Sequence, residues 1–127
     1  MLKTNEAFSS FAVNDIQKAK EFYSKTLGVK VTEEKDMEGL LNLHIKDGVS
    51  VMVYHKPDHT PATFTLLNFP SDNVEEDVDK LTKQGVKFEQ YDNEDIKTDE
   101  KGISRSDGMM IAWFKDPSGN IMSVLEM

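Results

Sequence analysis

A chain of 127 residues is long enough to bury a proper core and too short for two independent ones, and 38% hydrophobic with 30% charged residues is ordinary for a globular protein. The absence of cysteine excludes disulfides, a thiol nucleophile and thiolate metal sites, and no apolar run approaches membrane-spanning length. The balance of 15 basic to 23 acidic residues, net −8, disfavours nucleic acid, whose backbone is neutralised by Lys and Arg, and suits either a cationic ligand or solubility alone.

The opening segment MLKTNEAF lacks the apolar stretch of a signal peptide, so a cytoplasmic location is expected, with no membrane partner. Residues 7–13 alternate as a strand, and Asp15 is placed to cap a helix by accepting an orphan backbone N–H. Ile16, Ala19, Phe22, Tyr23 and Leu27 then form one apolar stripe, closed by Gly28. Strands follow over 29–33, 40–45 and 49–55, the last two joined by Asp47-Gly48, a strong hairpin signal. Residues 56–60, KPDHT, read as a linker.

The pattern then recurs. A strand over 63–69 leads to a helix over 73–84, with Asp72 and Glu75 spaced as a capping box or Ser71 as the cap, and Val74, Val78 and Leu81 as its apolar stripe. Glu75, Glu76 and Asp77 suit the first helical turn, where the dipole favours negative charge. Gly85 opens GVKF as Gly28 opens GVKV, and Asp72 to Gly85 is the same interval as Asp15 to Gly28. A strand over 86–91 is followed by a charged loop over 92–108, long enough to be a lid, and by strands over 109–115 and 120–126 joined at Asp116-Pro117-Ser118-Gly119. The whole is an α+β fold of two βαβββ modules, residues 5–56 and 62–127, in a single domain over 1–127.

Alternation assigns the faces. Val49, Val51, Val53, Leu41, Leu43 and Ile45 are expected under the helices. The opposite face then carries Leu40, Asn42, His44, Ser50, Met52 and Tyr54, with Phe8 and Ser10 from the first strand. In the second module it carries Phe64, Leu66, Asn68, Ile111, Trp113, Ile121 and Ser123. Aromatics mixed with a few polar groups suit either a small-molecule pocket or a second packed core.

The run Val13-Asn14-Asp15, Phe22-Tyr23 and Leu27-Gly28, the repeated helix ending at Gly85 and the closing WFKDPSGN resemble the vicinal oxygen chelate superfamily of glyoxalase I, bleomycin resistance proteins, fosfomycin resistance enzymes and extradiol dioxygenases. The resemblance covers nearly the whole chain. It implies two modules forming an open, cup-shaped sheet, a homodimer, and, in the enzymes, a divalent metal at the cup floor. The implied ligand positions fall on Phe8, Met52, Phe64 and Ser123, and the internal repeat pairs the same positions, since Met52 and Ser123 each follow a matching glycine, Gly48 and Gly119. Two phenylalanines, a thioether and a hydroxyl do not suit a hard or borderline cation, so no metal and no cofactor are expected.

The leading expectation is a metal-free protein that binds or sequesters an amphipathic or cationic small molecule through Phe8, Ser10, Asn42, His44, Met52, Tyr54, Phe64, Asn68, Trp113 and Ser123. Phe8 and Phe64, with Trp113 and Tyr54, would stack a planar or cationic ligand or else fill the space left by a metal. One alternative is a lyase or isomerase with a displaced metal site or with His44 as acid/base, and another is a structural dimerisation module with a filled cup. His55 is expected to face outward. His59 with Asp58 reads as a turn or part of a site, and Lys115-Asp116 with Lys56 as charge at the rim or plain surface.

Overall fold

The first helix is set by its cap. Asp15 accepts a 3.0 Å hydrogen bond from Lys18 N, and helix α1 runs over Ile16–Glu21. Phe22–Thr26 then widens into a π-turn, with Leu27 N donating to Phe22 O. This wider turn seats two neighbouring aromatic residues against the core side. Tyr23 is fully buried and meets Phe22 edge-on at 5.3 Å and Phe11 at 5.9 Å.

The computed structural model describes all residues, 1–127, and the chain divides into two compact units, Met1–Thr60 and Pro61–Met127. In the first, β1 (Ser10–Val13), β2 (Lys30–Glu33), β3 (Leu40–Lys46) and β4 (Val49–His55) make a mixed sheet in the order β1-β4-β3-β2, with β1 parallel to β4. Phe11, Val13, Leu41, Leu43 and Val53 are buried on the face that α1 covers. Each such aliphatic side chain contributes about 1.5–3 kcal/mol by leaving water. Burial runs out toward the Asp47-Gly48 hairpin, where the register slips between His44 and Lys46, and Ile45 and Val49 are both exposed. Those two were expected under the helix.

The second unit repeats the order as β5-β8-β7-β6, from β5 (Thr65–Pro70), β6 (Ile103–Ser106), β7 (Met109–Lys115) and β8 (Ile121–Glu126), with β5 parallel to β8. Helix α2 (Val74–Lys83) lies on the face of Ala112, Phe114, Met122 and Val124, all buried. The two sheets and two helices are thus two βαβββ modules. No helix is long and apolar enough to cross a membrane.

Three local expectations are corrected. The cap of α2 is Asn73, one residue beyond Asp72, with its side chain accepting from Glu76 N at 3.0 Å. Ser71 instead turns the chain, donating to Asp77 and accepting from Asn73 N, while Glu126 of β8 accepts from Val74 N at 2.9 Å. Residues 86–91 make only a single bridge, Phe88 to Phe114, so the second strand of the module, the one after α2, is β6.

The loop expected over 92–108 therefore ends at Ile103. Its last part is a hairpin whose turn, Asp107-Gly108, has both residues at positive φ, 51° and 77°. That is the left-handed pair a two-residue turn needs. Residues 92–102 are held by their own polar groups: Asn93 Oδ1 accepts from Asp95 N and Ile96 N, and Thr98 exchanges hydrogen bonds with the backbone of Tyr91.

Candidate functional site

The face of the first sheet away from α1 is built by register. Ser10 stands beside Met52, Met52 across from Asn42, and Asn42 across from Thr32. The next row is Ala12, Tyr54 and Leu40, with Glu34 N donating to Leu40 O, and on the other side His44 lies between Ser50 and Lys30. The structure thus brings Ser10, Asn42, His44, Met52 and Tyr54 onto one face. Phe8 precedes β1 and is 63% exposed.

Polar pairs organise the edge of this face. His44 Nε2 lies 2.8 Å from Thr32 Oγ1, and Asn42 Nδ2 donates to Glu34 Oε1 at 2.7 Å. Thr32 and Glu34 were not singled out from sequence. The signal was present, because pairing the strand over 29–33 antiparallel to the next one places Thr32 across from Asn42, but it requires the register. At this end of the sheet a cleft of about 1310 Å³ opens, taking in Thr32, Glu34, Leu40, Met52 and Tyr54 beneath the β2–β3 loop with its exposed Met37. Ser10, Asn42 and His44 lie outside the lining of the cleft.

In the second unit, Asn68, Ser123 and Trp113 form one row across β5, β8 and β7. Ser123 is fully buried and donates its hydroxyl to Asn68 Oδ1. Trp113 meets Tyr91 edge-on at 5.6 Å. An irregularity at Leu66 sets Thr65, and not Leu66, across from Ile121. The alternation that assigned Leu66 and Phe64 to the Asn68 face is interrupted there, and Phe64, just before β5, is 65% exposed.

The remaining titratable candidates have local partners. Lys56 sits 2.6 Å from Asp58, and its hydrogen bond and charge hold that carboxyl below the usual range. His59 N donates to Lys56 O within the same turn, and His55 is exposed beside Val13. Asp116 is not a rim charge. It is buried, and its Oδ1 accepts from Ser118 N and Asn120 N at 2.9 Å while Oδ2 accepts from Asn120 Nδ2 at 3.0 Å, tying the β7–β8 turn.

The donor set does not fit a divalent metal. Phe8 and Phe64 offer no ligand atom, Met52 offers a thioether, and the Ser123 hydroxyl is engaged with Asn68. Elsewhere no three His, Asp or Glu side chains gather in a way that would hold an ion.

Among known structures, the chain is similar to a glyoxalase family protein from Enterococcus faecalis at 20% identity, covering 94% of each chain with a TM-score of 0.69. It is similar to a glyoxalase family protein from Bacillus anthracis at 18% identity, covering 94% of this chain and 93% of that one with a TM-score of 0.67. A third is TnmS3, an antibiotic binding protein from Streptomyces sp. CB03234, at 22% identity, 94% coverage of each and a TM-score of 0.63. At these identities the likeness is one of fold. No curated protein matches the sequence significantly. The sequence profile of the Glyoxalase/Bleomycin resistance protein/Dioxygenase superfamily matches residues 7–124, nearly the whole chain, and the protein belongs to that superfamily.

Proposed function

We propose that this protein binds or sequesters a small amphipathic or cationic molecule without a metal, on the helix-free face of its first sheet. The observation that carries the reading is the joining of that face to a cleft of about 1310 Å³ through Met52, Tyr54 and Leu40. The apolar part of the lining, Leu40, Met52 and Tyr54, supplies contact at about 25 cal/mol per Å² removed from water, and Asn42, His44 and Ser10 supply polar contacts beside it. Phe8, exposed just before β1, is the aromatic contact proposed on the Ser10 side of the face. The face of Asn68 and Trp113, with Phe64 at its margin, is the second candidate surface, and Ser123, buried in the same row, supports it through its hydrogen bond to Asn68. The structural likeness to an antibiotic binding protein supports binding over catalysis by analogy of fold alone. A homodimer in the cytoplasm is the setting we propose for it.

The alternative is a lyase or isomerase, with a displaced metal site or with His44 as acid/base. The hydrogen bond of His44 to Thr32 on the adjacent strand favours a structural histidine. A dimerisation module with a filled cup is the third reading. Two-dimensional NMR titration with planar aromatic cations and neutral aromatics separates them. The expected outcome is saturable shifts centred on Leu40, Met52 and Tyr54, weakened about five- to thirtyfold by Tyr54→Ala or Met52→Ala, a loss of about 1–2 kcal/mol. Trp113 fluorescence reports the second surface. No saturable response at either surface would discard binding and leave the structural reading.

A further inference from the structure

The cleft of the first unit contains a carboxylate whose position the fold has fixed. Glu34 follows β2 directly and lies across from Leu40, its backbone N–H donating to Leu40 O. Its neighbour Glu33 is neutralised by Lys20 at 3.1 Å, but no lysine, arginine or histidine pairs with Glu34. Instead the Asn42 amide donates to Oε1 at 2.7 Å. A surface glutamate ordinarily samples many rotamers. Here one oxygen is held by Asn42, and Glu34 lines the cleft together with Leu40, Met52 and Tyr54, with Glu33, Lys35 and Glu38 also at its wall.

Glu34, Leu40 and Tyr54 stand on three neighbouring strand positions of one face, so the aromatic ring lies about two strand spacings, or about 9.6 Å, from the edge that carries the carboxylate. We propose that Glu34 is the counter-ion of this site, positioned by Asn42. The class of ligand is then an organic cation, such as a quaternary or protonated amine, attached to an apolar or aromatic body that lies on Leu40 and Tyr54. The inference rests on the binding reading above and adds the charge, its location and the spacing. It also separates a local contact from the general acidity of the protein. The net charge of −8 acts at long range and is screened within about a Debye length, whereas a contact with Glu34 distinguishes a cation from a neutral body of the same shape.

Calorimetric or NMR titration with meta-hydroxyphenyltrimethylammonium and its uncharged isostere meta-tert-butylphenol tests this. Wild type is expected to prefer the cation about two- to fivefold, the range of an exposed cation contact. Glu34→Gln keeps an acceptor for Asn42 and so preserves the local structure, and it is expected to bring the preference close to unity with binding of the phenol unchanged. Asn42→Ala is expected to reduce the preference in part. Asp47→Asn, in the β3–β4 turn, changes the net charge equally and serves as the control that leaves the preference intact. If wild type binds both probes equally, or Glu34→Gln leaves the preference standing, the counter-ion is refuted while the binding reading survives. If the Asn control abolishes the preference as fully as Glu34→Gln, long-range charge is responsible and Glu34 has no special place. If neither probe binds, the binding reading fails and this inference with it.

Discussion

Asp116 shows how one side chain fixes a turn. Three donors, two backbone and one side chain, converge on a buried carboxylate, and truncation would leave all of them without that acceptor. Asp116→Ala is therefore expected to lower unfolding free energy by about 2–3 kcal/mol, read as a fall in urea midpoint at constant m-value. A loss under about 0.5 kcal/mol would mean that the turn holds itself. Gly102 makes a comparable demand through sterics. Its φ is +89°, and a Cβ there would lie 2.8 Å from Phe88 Cβ and 3.0 Å from Glu89 O. Gly108, at φ +77°, faces open space. Both alanine variants incur backbone strain of about 1 kcal/mol, but Gly102→Ala adds an overlap worth about 1–3 kcal/mol more. Equal destabilisation of the two variants would show that the Phe88 contact relaxes freely.

Charge ties residues 92–102 to α2. Arg105 of β6 pairs with both Asp99 and Glu75, and Lys101 lies 3.1 Å from Asp79. Burial alone would raise the Asp99 carboxyl, but the Arg105 hydrogen bond and the N–H groups of Ile103 and Lys101 outweigh it and hold the carboxyl below its usual range. A depressed carboxylate contributes stability above its unfolded value, about 3.9, and that contribution is lost as pH falls through the folded value. Arg105→Gln should thus destabilise at neutral pH, and the difference from wild type should shrink as pH falls below about 3.9 and as salt rises. A difference that persists unchanged in acid would assign the effect to packing of the arginine stem. This latch also shows where sequence reading stopped. Two βαβββ modules, the Asp15 cap and the sheet faces of β3 and β4 away from the Asp47-Gly48 turn were legible because capping, glycine stops and strict alternation are local. Residues 92–108 were not, because whether Ile103–Ser106 pairs depends on contacts with β7, and the Asp107-Gly108 turn lay inside a charged stretch that reads as loop. Thr32 and Glu34 were missed for the same reason: their role follows from the register of β2 on β3. The irregularity at Leu66 left no signature in the strand's alternation, so parity alone does not carry the face assignment past it.

Membership of a superfamily rich in metalloenzymes makes metal content the property of the whole protein most worth predicting. The four positions that the resemblance assigns to ligands are Phe8, Met52, Phe64 and Ser123, and a site built on them would have to bind a divalent ion with no imidazole and no carboxylate. Substitution elsewhere would require three donors within reach of one another, and no such group of His, Asp or Glu exists. Purified protein is therefore expected to hold far less than one equivalent of zinc, nickel, manganese or iron by elemental analysis, and its melting temperature should not respond to chelator. The thermal measurement is sensitive enough to decide. An ion that binds only the folded chain and is present at a hundred times its dissociation constant stabilises by about 2.7 kcal/mol, which is several degrees for a domain of this size. Added zinc or manganese provides the converse test, with no upward shift expected at concentrations below those that bind surface carboxylates loosely. About one metal per chain, lost with a fall in melting temperature on chelation, would sink the metal-free proposal and restore the lyase or isomerase reading with ligands drawn from other positions. A metal that Ser123→Ala releases would place the ion at the position the resemblance implies despite its poor donor.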